Sequence, residues 1–194
     1  MRWGLRSATM LALLSALTLA QFFCLLAQVE ARSRREVGEA LPLKAFFGSY
    51  VGQGLADEHI LYIGVTEREL TVAIEPTAEG FTITWTTQLR QDNDPNNKKT
   101  KIRASKMTFL PSGRANLWRL DKQGDPLNGE PFAWTRIDGD ALVTTAISFD
   151  ADGRFEVETY WRSITATGME VDFTRSKEGV EVLSVGAKLE RAQQ

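Results

Sequence analysis

From Gly80 to Arg90 the side chains alternate, with Phe81, Ile83, Trp85 and Leu89 on one side and Thr82, Thr84, Thr86 and Gln88 on the other. Successive residues of an extended backbone point to opposite faces, so this pattern is a β-strand with one dry face. The same period recurs in Leu70, Val72 and Ile74, in Ala141, Val143, Ile147 and Phe149, in Phe155, Val157 and Trp161, and in Met169, Val171 and Phe173. Turn residues separate these runs at Pro76 to Gly80, Pro111-Ser112-Gly113, Asn128-Gly129, Asp138-Gly139, Asp150 to Gly153 and Lys177-Glu178-Gly179. Asx-Gly pairs supply the positive φ that tight hairpins need. No 3.6-residue period is sustained after residue 45. The one candidate helix is Arg34 to Leu43, which Pro42 would end.

Two strands change phase. Ile102 and Ala104 hand over to Met107 and Phe109, and Val180 and Val182 hand over to Leu183, Val185, Ala187 and Leu189. An extra residue is needed to keep both sets inside, which predicts bulges near Ser105 and Val182. The stretch from Gln91 to Lys99 reads as a polar loop. The count is nine or ten antiparallel strands joined by hairpins. Such a meander closes into a barrel, or folds as a two-sheet β-sandwich; short connections without a long crossover favour closure.

Arg2 and Arg6 precede an uncharged, Leu- and Ala-rich run from Ala8 to Ala27, the layout of an export signal. Val29-Glu30-Ala31 offers small residues at the positions a signal peptidase reads. Residues 1–31 are therefore read as a signal peptide, 32–45 as a lead segment, 46–190 as a single β domain and 191–194 as a tail. The expected location is periplasmic or secreted; an uncleaved run, about 20 residues long, would instead anchor the domain to a membrane. The only cysteine, Cys24, lies inside this run, so the remainder has no disulfide and depends on its core. With 23 basic and 25 acidic residues and no basic tract, the chain lacks the cationic face that nucleic acid requires.

The stretch Phe46-Phe47-Gly48-Ser49-Tyr50-Val51-Gly52-Gln53-Gly54 resembles the opening strand of lipocalin-like (calycin-type) barrels, in which a glycine is followed two residues later by an aromatic ring that plugs the closed end. The resemblance extends to hairpin order over residues 44 to 190, with Tyr50 standing where that family has tryptophan. It implies a cup holding a small apolar ligand. A related group of barrels binds haem through a histidine on a late strand. The sole histidine here, His59, is early, so the chain departs from that pattern.

Arg136 shares its parity with Phe132 and Trp134. A cation on a dry face needs a partner or an aromatic stack. Arg136 is thus a candidate anchor for a carboxylate or phosphate head group, or a structural cap over an aromatic end; Ile137 fits the opposite phase. Trp85, Trp134 and Trp161 are candidate ligand-lining residues, or simply core. Thr84, Thr86, Thr87, Thr144, Thr145 and Thr159 are strand residues first and pocket hydroxyls second. Glu156 and Glu158, with Glu170 and Asp172, read as outward alternates on adjacent strands.

Catalytic and metal readings find little support. One histidine and no cysteine after residue 31 exclude the usual zinc sets, and Asp92, Asp94, Asn96 and Asn97 lack the glycine and closing glutamate of a calcium loop. Asp57, Glu58 and His59 are chain neighbours, a poor geometry for a relay, and no serine sits in a nucleophile elbow. Gly48, Gly52 and Gly54 lack the lysine and helix of a phosphate loop; they suit coiling or close backbone approach. No cofactor is indicated. The leading expectation is an exported binder or carrier of a small apolar or amphipathic ligand. The alternative is an envelope interaction domain with a filled barrel and residues such as Tyr160 and Trp118 outside.

Overall fold

The computed structural model describes residues 40–57, 66–90 and 100–192. The chain forms β1 (Gly48–Asp57), β2 (Thr66–Pro76), β3 (Phe81–Arg90), β4 (Thr100–Pro111), β5 (Leu117–Leu120), β6 (Phe132–Asp138), β7 (Ala141–Phe149), β8 (Phe155–Ile164), β9 (Gly168–Lys177) and β10 (Val180–Arg191). Each strand pairs antiparallel with the next, and β1 pairs with β10, so the meander closes into a barrel. Closure gives every strand a neighbour on each side, although the short β5 meets β4 only from Phe109 to Pro111 and leaves the earlier part of that edge of β4 without a strand beside it among the described residues. Ten strands are two more than a lipocalin barrel has. The export-signal run, His59 and the 91–99 loop all lie outside the described residues. So does most of the helix expected at Arg34 to Leu43; after Pro42 a single 3-10 turn, Leu43–Phe46, leads into β1.

Turn chemistry sets the hairpins. Lys177 pairs with Val180 across the loop Glu178-Gly179, whose φ angles of 51° and 79° are both positive, as a type I′ turn requires. The glycines of β1 serve close approach: a Cβ at Gly52 would fall on the carbonyl oxygen of Lys188 in β10. The bulge expected near Val182 is present, as the β9–β10 register shifts between Glu181 and Leu183.

The bulge expected near Ser105 is not. β4 pairs with β3 without interruption through Trp85↔Ser105 and Thr86↔Ala104. The strand never changes phase: Ile102 and Ala104 are exposed on the outside, while Arg103, Ser105 and Met107 face the barrel lumen. The apparent phase switch records a change from an apolar to a polar interior along one continuous strand.

The same cause corrects other facings. In β6, Ala133, Thr135 and Ile137 are buried inside, which puts Phe132, Trp134 and Arg136 on the outer face. In β8, Glu158, Tyr160 and Arg162 point into the lumen, and Phe155, Val157 and Trp161 point out. In β7, Leu142 and Ala146 join the core, and Val143 lies on the outside between its pairing partners Arg136 and Trp161. Tyr160 and Trp118 both face inward, contrary to the outside placement a filled interaction barrel would give them.

One end of the barrel is filled. Phe46, Tyr50, Ile74, Phe81, Ile83 and Phe109 are almost completely buried there, with Phe81 and Phe109 stacked at 5.5 Å and Trp118 edge-on to Phe81 at 5.6 Å. The other end is where β1, β3, β5, β7 and β9 finish and their successors begin. It is open.

Candidate ligand cavity

In the open half lies a cavity of about 230 Å³, bounded by β2, β3 and β4 on one side and by β8, β9 and β10 on the other. Its apolar lining comes from Leu70, Val72, Met107, Phe173, Leu183 and Val185. Trp85 of β3 and Tyr160 of β8 belong to opposite walls, yet their rings meet at 5.2 Å, and Tyr160 continues to Phe173 at 4.5 Å. These rings cross the lumen and mark where the filled half ends and the cavity begins.

Arg162 lies against this crossing. It is 1% exposed, with its guanidinium 4.8 Å from the Tyr160 ring centre and 5.4 Å from that of Trp85. Its Nη1 donates to Thr144 Oγ1 at 3.0 Å. Thr135 gives its hydroxyl proton to the Val143 carbonyl, so in the 3.2 Å contact between the two hydroxyls Thr144 is the donor, and its lone pair remains for Arg162. The Nε of Arg162 is buried and has no hydrogen-bond acceptor, and no described carboxylate pairs with this side chain. Burial pulls its pKa down to about 10, against an opposing pull from Tyr160, so it is cationic at neutral pH.

Arg68 and Arg103 also line the cavity, and nearer the opening Arg175 and Lys177 are held by carboxylates. Arg175 binds Glu158 Oε1 through Nη2 at 2.6 Å and Nε at 2.9 Å, with Glu156 3.1 Å from the same Nε. Lys177 continues the ladder to Glu156 at 3.1 Å. Burial alone would lower the pKa of Arg175, but Glu158 and Glu156 outweigh it and hold the guanidinium above its ordinary value. Tyr160 donates to Glu158 Oε2 at 3.3 Å, and burial followed by the Glu158 charge pushes its phenol well up. These two glutamates thus face inward, because arginine and lysine on β9 stand opposite them in the register Glu156↔Lys177 and Glu158↔Arg175. Glu170 and Asp172 do point out, on a shallow outer groove beside Gly186.

Of the residues singled out from sequence, Trp85 lines the cavity. Tyr50 sits in the filled end, fully buried, its hydroxyl donating to the Phe46 carbonyl at 3.0 Å. Trp134, Arg136 and Trp161 are together on the outer face, where Arg136 binds Asp138 at 2.7 Å and lies 5.7 Å over the Trp161 ring. Sequence reasoning misses Arg162 and Arg175 and turns Glu158 outward. The available signal was opposite charge in matching phases of β8 and β9, a pattern that cross-strand pairs explain without exposure to water. Of the six exposed large apolar residues among the described residues, Val51 lies beside the filled end, and Leu55, Ile102, Leu127, Phe132 and Val180 belong to the other half of the barrel or to its connecting loops.

No protein-family model matches the chain, and no curated protein matches it. Among solved structures the chain is similar to the S-type phycobiliprotein lyase CPES from Guillardia theta, with 12% identity over 78% of this chain and 90% of that chain and a TM-score of 0.51. At that identity the likeness is one of fold. It supports the closed antiparallel barrel and leaves membership of the lipocalins proper as a separate question.

Proposed function

We propose that this protein is a small-molecule binding or carrier protein of an exported compartment, holding an apolar or amphipathic ligand in the open half of a lipocalin-like barrel. The observation that carries the reading is the cavity itself: a barrel plugged at one end by aromatic core, with a cavity beyond it whose lining combines apolar side chains with convergent polar groups, four of them arginines. Sites for small ligands have this composition. Export rests on the charge layout of residues 2–31, and the apolar residues around the open end suit a ligand exchanged with another apolar phase. The neighbouring fold is that of a protein named as a phycobiliprotein lyase, and the likeness supports the barrel that the reading needs.

The test is native mass spectrometry of protein purified without detergent, beside a denatured control, followed by titration with small apolar and amphipathic probes while tryptophan emission is read. A one-to-one complex, weakened by the cavity-filling substitution Val185→Trp, is expected. A bare mass after incubation with a mixture of lipids and small aromatic compounds, and emission unchanged throughout, would overturn the reading.

A further inference from the structure

Resting on the cavity reading, we infer that the ligand carries a carboxylate, bound head-down at the floor by Arg162. A buried cation without an anion is costly to maintain, since transfer from water removes hydration that nothing replaces. Two other cations at this end are held by carboxylates: Arg175 has Glu158 and Glu156, and Lys177 has Glu156, while Arg68 and Arg103 also line the cavity. Arg162 has two aromatic faces and one threonine hydroxyl.

The geometry of the guanidinium selects the head group. Nη1 is occupied by Thr144, so the remaining edge consists of Nε and Nη2, two parallel donors in one plane. A carboxylate accepts such a pair through both oxygens. Arg68 and Arg103 line the cavity beside Arg175, so it is the planar two-donor edge of Arg162, and not a shortage of cations, that selects a carboxylate. Above the head group the space is bounded by Phe173, Val72, Met107 and Val185, which suits an apolar body. A cavity of about 230 Å³ takes a body of one or two rings more readily than a long chain.

The experiment compares 2-naphthoate with its neutral isostere 2-naphthamide by calorimetric titration against the full chain and three variants. Wild type is expected to bind the acid at least roughly tenfold more tightly than the amide, the usual advantage of a charge-assisted bidentate pair. Arg162→Met should abolish that preference and leave amide binding in place. Arg162→Lys, which keeps the charge and loses the fork, should retain part of it and covers the case in which the methionine variant fails to fold. Arg136→Ala, on the outer face, should behave as wild type. Equal affinity of wild type for both probes, or a preference that survives Arg162→Met, would overturn the carboxylate and leave the cavity reading standing. Failure of both probes to bind wild type would overturn both.

Discussion

The guanidinium of Arg191, near the end of the last strand, lies 4.9 Å over the ring of Tyr50, on the first strand, and donates to its hydroxyl at 2.8 Å. The same side chain reaches the carbonyls of Phe47 at 2.8 Å and Ala45 at 3.3 Å, so one arginine ties the lead-in turn and β1 to the end of β10. Burial raises the Tyr50 pKa, with Arg191 opposing, so the phenol stays protonated and donates to Phe46. Tyr50→Phe removes one buried donor and leaves Arg191 short of an acceptor, which should cost about 1–2 kcal/mol. Arg191→Met should cost a similar amount. Because the two residues share one contact, the double variant is expected to lose less than the sum, and chemical denaturation of all four proteins measures the difference.

Replacing Arg162 with methionine should raise stability, by about 1–3 kcal/mol, because an unpaired buried guanidinium gives way to an apolar side chain of similar reach. Thr144 keeps its partner Thr135 in that variant. Thermal unfolding gives the answer. A fall in the melting temperature would mean that the two aromatic stacks stabilise the cation more than its burial costs.

Glu158→Gln leaves Arg175 and Tyr160 facing a neutral group in a half-buried setting. The expected loss is about 1 kcal/mol, since the bidentate pair is partly shielded from water. Raising the ionic strength should change this loss less than it changes the effect of breaking the exposed Lys188–Glu170 pair, which lies at 3.5 Å on the outer face.

Asp150 organises the β7–β8 turn. Its Oδ1 accepts from the backbone N–H of Arg154 and of Asp152, both at 3.0 Å. The Arg154 N–H is the main cause that holds this carboxyl below its usual 3.8, and the Arg154 and Lys177 charges add to it. A depressed acid stabilises the fold at pH values above its unfolded pKa, and the contribution disappears as the pH falls through the folded value. Asp150→Asn should therefore melt below wild type at pH 7, and the gap should close as the pH is taken below 3.8.

Gly52→Ala puts a methyl group on the Lys188 carbonyl, a backbone atom that cannot rotate away. Separation of β1 from β10 at the closing seam is expected, with a loss of about 3 kcal/mol. Hydrogen exchange should show faster exchange in both strands, while β6 and β7 keep their protection.

Local chemistry is legible in a sequence because it is decided by neighbours along the chain. Alternation marked Phe81 to Leu89 as a strand, Glu178-Gly179 and Asp138-Gly139 marked hairpins, and the phase change at Val182 marked a real bulge. From these alone followed an antiparallel meander of about ten strands, and short connections pointed to closure. The facing of a strand is a different kind of property. Reading the more apolar side as the inside failed at Ser105, Arg136 and Glu158, because in the open half the lumen is polar and the outer surface of β6 to β8 is aromatic. Glu158 can point inward only because Arg175 faces it from the next strand, and that pairing depends on a register between residues 17 apart. The cavity is more distant still from the sequence: alternation assigns sides to residues but says nothing of the volume left between them. Only closure of the sheet, which brings Trp85 against Tyr160 and sets Arg162 beside them, decided that this barrel has a floor and a cavity above it.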